Sequence, residues 1–239
     1  LAGPSDVLGC GVSEREQAMA DGFAEMIDRS NVFFSELAQN NRRDWFEPRK
    51  ATYEAEIRKP ALLMADLLAE DFARLTGKPH APKVFRIYRD VRFSKDKRPY
   101  NAHLHMIWRP PSPDTAPAWF FGTAPDYVTM GMGTPGLAGP ALTGFRAFLD
   151  TEGDTLAGAL DEASATAGVT LSSWGPAPLK RVPKPYPPDH PRADLLRCKG
   201  FTVERPLDAD WRAMGLLPAI LGGAETLLPL WRELDRALG

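Results

Sequence analysis

Apolar residues recur at helical spacing in the first third of the chain and again near its end. Between those regions they recur at strand spacing. From Ser30, a stripe of Val32, Phe33, Phe34 and Leu37 predicts an amphipathic helix that Ser30 can cap and Asn40-Asn41 ends. A second helix is predicted from Asp44, with Trp45, Phe46, Tyr53 and Ile57 on its buried side. Pro48 falls in its first turn, where a missing N–H costs little. Pro60 kinks or restarts that helix, and Leu62, Leu63, Leu67, Leu68 and Phe72 carry an apolar face to Gly77. The period then changes to two. Val84 to Phe93 predicts a strand with Phe85, Ile87, Val91 and Phe93 on one face, Arg89 among them, and Arg86, Tyr88, Asp90 and Arg92 on the other. A turn over Ser94–Arg98 leads to a strand over Tyr100–Trp108, then a hairpin from Trp119–Gly122 and Tyr127–Met132.

Helices are predicted over about 138–150 and 154–166, followed by a short strand over Val169–Trp174. Asp189 opens a short helix holding Leu195 and Leu196, with Pro191 in its first turn. A strand over Phe201–Glu204 and two helices, about 208–221 and 223–238, complete the chain. Helices flanking a block of hairpin-joined strands predict an α+β class. The expected architecture is one domain over 21–239, a central and mainly antiparallel sheet flanked by helices, with a tail over 1–20.

Composition narrows the class. The chain has 239 residues, 44% hydrophobic and 25% charged, as a soluble globular domain does. It contains no apolar run of about 18 residues, so no membrane span is expected. Cys10 and Cys198 make no disulfide framework, and the first residues lack a signal-peptide pattern, so a cytoplasmic location is expected. The net charge of −2 argues against nucleic acid as a partner.

That charge is unevenly spread. Lys83 to Tyr100, KVFRIYRDVRFSKDKRPY, holds seven basic residues and two acids, a local charge of +5 against −7 for the rest. Arg86 and Arg92 share a strand face, and guanidinium forks bind carboxylate or phosphate bidentately. Ser94, Lys95, Asp96 and Lys97 form a turn whose backbone N–H groups and ammonium charges suit an anion. Arg89, on an apolar face, requires a carboxylate or a ligand, because a buried unpaired guanidinium costs several kcal/mol. The plain alternative is a solvated face whose charges pair with acids elsewhere.

Other motifs carry less. His103 and His105 share a face at a spacing metal sites use, but a third ligand such as His190 or Asp126 would be needed. No metal and no cofactor is expected. GMGTPG at Gly131–Gly136 matches GxGxxG formally, yet Pro135 sits inside it, and a turn entering a helix explains it better than a dinucleotide. Seven prolines between Pro176 and Pro191 stiffen a segment that either delivers Lys180 or His190 to the basic face or simply runs over the surface. Asn40-Asn41 with Trp45 forms a cap or a pocket wall. The sequence lacks GxSxG, a Cys-His nucleophile pair and a Walker A loop.

The segments NNRRDWFEPRKATYEAEI, FRIYRDVRFSKDKRPY and LKRVPKPYPPDHPRADLLRCKGF, with the Gly-rich turn before LTGFRAFL, resemble the DUF2461 family in the order expected of it, over about residues 22–235. The resemblance implies one domain and no reaction. It marks Asn40, Asn41, Trp45 and Phe46; Arg86, Arg89, Asp90, Arg92, Phe93, Ser94, Lys95, Asp96, Lys97, Pro99 and Tyr100; and Lys180, Pro183, His190, Pro191 and Lys199. Asn101 stands where members often have lysine, Pro185 where glycine is common, and Pro48 lies unusually early in the second helix.

Three readings follow. The first is a binder of a small phosphate- or carboxylate-bearing anion. It is contacted by Arg86, Arg92, Lys95 and Lys97, with Arg89 and Asp90 holding the strand and Tyr100 and Trp45 as walls. Ser94, Asn41, Lys180 and His190 are further candidate ligand-binding residues. The second is a transferase or phosphoester hydrolase with Asp90 or His103 as general acid–base. The third is a module whose basic face meets an acidic protein or nucleic acid.

Overall fold

The computed structural model describes residues 14–113, 115–172 and 174–239. Helix α1 (Glu14–Gln39) already occupies the end of the expected tail, whose first 13 residues lie outside the described ones. Ser30 does not cap a helix. It is buried in the middle of α1, and its hydroxyl donates to the Ile27 carbonyl at 2.8 Å. The second helix is segmented: α2 (Arg43–Phe46), a 3-10 turn with Pro48 (Glu47–Arg49), α3 (Lys50–Thr52), a π-helical stretch (Tyr53–Arg58) and α4 (Lys59–Thr76). Pro60 brings no N–H to the first turn of α4, and the ladder widens just before it.

Six antiparallel strands follow: β1 (Ala81–Val84), β2 (Leu104–Arg109), β3 (Ala118–Ala124), β4 (Tyr127–Thr134), β5 (Thr170–Leu171) and β6 (Phe201–Pro206). They form one sheet in the order β1-β2-β3-β4-β6-β5. Helices α5 (Gly139–Thr151) and α6 (Asp154–Ala167) connect β4 to β5, and α7 (Ala193–Arg197) precedes β6. The chain closes with α8 (Trp211–Met214) and α9 (Leu216–Leu238). The α+β class and the antiparallel sheet are as the pattern predicts.

Four further expectations are overturned. The regular strand ends at Val84 instead of running to Phe93. Asp90 and Asp96 each accept the backbone N–H two residues on, from Arg92 at 3.2 Å and Arg98 at 3.0 Å. Such side-chain turns compete with a strand ladder. Phe93 is consequently 95% exposed. GMGTPG does not enter a helix as a turn, because Gly131 and Gly133 lie within β4. Asp189 caps nothing: α7 starts at Ala193, and the Arg192 N–H goes to His190 Nδ1 at 3.0 Å. The C-terminal break falls at Gly215 (φ 91°), not near residue 222. Gly222 and Gly223 are inside α9, where the missing side chain of Gly223 admits the Met130 sulfur.

The main core lies on one face of the sheet. Helix α1 packs on β3, α4 on β1 and β2, and α9 on β4. Phe72 stacks on Trp119 at 5.3 Å, Trp119 lies parallel to Trp231 at 6.3 Å, and Trp108 Nε1 donates to the Ala65 carbonyl at 2.7 Å. His80 sits within this aromatic layer and accepts a hydrogen bond from Trp119 Nε1 at 3.2 Å. The other face carries a thin apolar patch, Ile107, Ala118 and Phe120, overlain by Trp174. Because β3 is covered on both sides it is buried throughout and reads as a continuous apolar run. Among the described residues no helix is long and apolar enough to cross a membrane.

Candidate functional site

The basic segment is a loosely paired excursion between β1 and β2. Its stem is held by backbone bonds from Phe85 to His105 (2.9 Å), Arg89 to Pro99 (2.9 Å) and Asn101 to Ile87 (2.7 Å), with a single bridge between Tyr88 and Tyr100. Its two carboxylates pair with three of its seven basic residues. Arg92 forks onto Asp90 (3.0 and 2.7 Å). Asp96 takes both Arg98 (2.8 Å) and Arg89 (2.8 Å), and Arg89 also donates to the Arg98 carbonyl at 3.0 Å. Lys97 donates to the Val91 carbonyl at 3.0 Å. These hydrogen bonds, that of Arg92 foremost, hold the Asp90 carboxyl below its ordinary range, and those from Arg98 and Arg89 do the same for Asp96. Arg89 thus has the carboxylate partner its position demanded.

Beside this stem, on the sheet face away from the helices, lies a cleft of about 480 Å³. Arg86, Arg89, Asp90 and Asn101 supply its polar wall, and Phe85, Tyr88, His103, His105, Phe120 and Trp174 its rings. Arg86 has no carboxylate partner among the described residues, unlike Arg89, Arg92 and Arg98. Asn101 braces it by donating to the Arg86 carbonyl at 3.3 Å. The floor is a stack of rings: His103 on His105 at 3.8 Å and His105 on Trp174 at 4.5 Å. Gly122, opposite His105 across the strands, makes room for it, since a Cβ there would lie 3.0 Å from both His105 and Trp174. Burial lowers both imidazole pKa values, that of His105 to about 3, so both rings are neutral at pH 7. A 2.6 Å hydrogen bond joins His105 Nε2 to the Tyr127 hydroxyl.

The stacked rings present faces to one another, and among the described residues no group of three metal-ligating side chains forms. His190 is occupied elsewhere, 3.1 Å from Asp150. A groove of about 510 Å³ along α1 is a poorer place for an anion, because Arg29 pairs with Glu25 and Glu56 and Arg49 covers the Trp45 ring.

The predicted site residues therefore divide. Arg86, Arg89, Asp90 and His103 meet at the cleft. Arg92, Ser94, Lys95 and Lys97 belong to the loop tip outside it, and Lys180 is exposed at another place. The DUF2461 family model, described as a conserved hypothetical protein, matches residues 29–231. The chain belongs to the DUF2461 family. No curated protein matches it.

In this DUF2461 protein, several positions marked by the resemblance build the stem rather than line the cleft. Asn41 clamps Tyr100, donating to its carbonyl at 2.9 Å and accepting its N–H at 3.0 Å. Phe46 stacks on the Tyr100 ring at 4.3 Å, and Trp45 is buried against Phe33. Asn41→Ala is expected to cost about 2 kcal/mol, because both backbone groups of buried Tyr100 lose their partner. Asn41→Asp, which keeps only the acceptor, should lose about half as much in urea denaturation. Sequence reasoning missed Phe120, Asn101 and Trp174. Phe120 lies in the apolar run of β3, but Trp174 arrives from a loop remote in sequence and leaves no local signal.

Proposed function

We propose that this protein binds a small anionic ligand, phosphate- or carboxylate-bearing, in the cleft beside the stem, with Arg86 as its main cation. The observation that carries the reading is the contrast within one segment. Arg89, Arg92 and Arg98 are paired with Asp90 and Asp96, while Arg86 lines the same cleft with no ion-pair partner among the described residues. A charge-assisted hydrogen bond of about 1.5–3 kcal/mol sets the scale. Arg86→Ala should weaken binding of phosphate, sulfate or citrate by about tenfold or more in calorimetry, and Arg92→Ala should change it less than about twofold. Equal losses in the two variants, or no heat with any of these anions, contradict the reading.

His103 favours a second reading, an enzyme acting on a phosphate ester at the same place. Its imidazole is neutral, half-buried and inside the cleft, as a general base requires. Asp90 does not suit that role, since its carboxylate is engaged by Arg92.

A further inference from the structure

The cleft continues past Trp174. A second cavity of about 160 Å³ shares Pro135, Trp174, Gly175 and Thr202 with it and reaches Lys199. Trp174 therefore borders open space in both. Thr202, which borders both, is only 7% exposed, yet its hydroxyl has no hydrogen-bond partner among the described residues. Buried hydroxyls are satisfied as a rule, and an unpaired one in the wall shared by two cavities marks a polar atom that a ligand could match after a small shift of the side chain. His105 is covered by His103 and Trp174, so the outer faces of that stack, with Phe85, Tyr88 and Phe120 beside it, supply the uncharged surface on which a flat ring packs. The combined space falls within the range of small-molecule sites.

We propose that the ligand carries a planar nitrogen heteroaromatic ring, laid against Trp174 and the His103–His105 pair and hydrogen-bonded to Thr202, with its phosphate toward Arg86. This rests on the anion-binding reading above. A nucleoside monophosphate is the simplest molecule with both parts. The ring accounts for the aromatic lining, which an inorganic anion would leave unused. It also accounts for the Thr202 hydroxyl, which no described residue pairs.

The test compares 5′-AMP, GMP, CMP and UMP with ribose 5-phosphate and with the parent nucleosides, by calorimetry on the full chain. At least one nucleotide should bind about tenfold more tightly than ribose 5-phosphate, the scale of one stacked base. Trp174→Leu should remove that increment and leave ribose 5-phosphate unchanged. Arg86→Ala should weaken both alike. Thr202→Val, isosteric and free of any folding penalty from a lost bond, should weaken only the nucleotide, by about threefold or more, and decides the matter if Trp174→Leu does not fold. Equal binding of ribose 5-phosphate and every nucleotide, or an increment untouched by Thr202→Val and Trp174→Leu, overturns this inference and leaves the anion reading standing. Nucleosides binding as tightly as nucleotides, with no effect of Arg86→Ala, overturn the anion reading. Silence from every probe overturns both.

Discussion

Gly133→Ala is expected to remove about 4 kcal/mol or more of stability, enough to leave much of a typical domain unfolded or insoluble. Gly133 pairs with Thr202 across β4 and β6 at φ 139°, a conformation that side-chain-bearing residues rarely adopt. A Cβ there would overlap the Phe201 carbonyl oxygen and lie 2.7 Å from Thr202 Cα. Both obstacles are backbone, so no rotamer change relieves them. Gly131→Ala should be nearly as damaging, since its Cβ would overlap the Val203 carbonyl and lie 3.2 Å from Glu204 Cα. Gly136→Ala is the control. Its Cβ would meet nothing nearer than Pro176 at 3.9 Å, and the change should stay within about 0.5 kcal/mol. A phosphate-binding GxGxxG turn would need its third glycine for close packing. A stability loss confined to the first two, read from urea denaturation, identifies the motif as a close strand pair.

The second large effect is acid sensitivity. His80 is buried between the Trp119 indole and the Pro79 carbonyl, and burial pushes its pKa down to about 4 from an ordinary 6.5. Below pH 6.5 the unfolded chain takes up a proton that the folded chain refuses, so stability is complete above that pH and falls as pH drops toward 4. The loss attributable to His80 is about 3 kcal/mol over that window. His103 and His105, both depressed chiefly by burial, push in the same direction. Carboxylates also begin to protonate near pH 4, so the readout is the difference between the native protein and His80→Gln. The native protein should show the steeper decline between pH 6.5 and 4.5. Parallel profiles would mean that His80 is not held neutral.

Where side chains meet partners close in sequence, or where one face alternates cleanly, the sequence is legible. The β3–β4 hairpin, α5, α6 and the antiparallel sheet follow from periodicity alone. Gly222 and Gly223 look like a helix terminus in the sequence, whereas both lie inside α9, and Gly223 admits the Met130 side chain. The basic segment was legible as an anomaly but not as a geometry. Asp90 and Asp96 each stand two residues before an arginine, and that spacing closes side-chain turns in place of a strand ladder and pairs three of the seven basic residues. Arg86 is then the arginine of the segment without an ion pair among the described residues, and it lies in the cleft. The marked Asn41, Phe46 and Tyr100 are explained by support of the stem, and Trp174 and Thr202 required the fold itself.

The central claim is that the cleft, and not the loop tip, is where an anion is held. The most direct measurement is a crystal soaked in tungstate, with the anion located by its anomalous scattering. The account predicts a peak within hydrogen-bonding reach of Arg86, against the His103–His105 floor, that disappears in Arg86→Ala. Peaks confined to Arg92, Lys95 and Arg98 at the loop tip, or to Lys180, with an empty cleft, would contradict it.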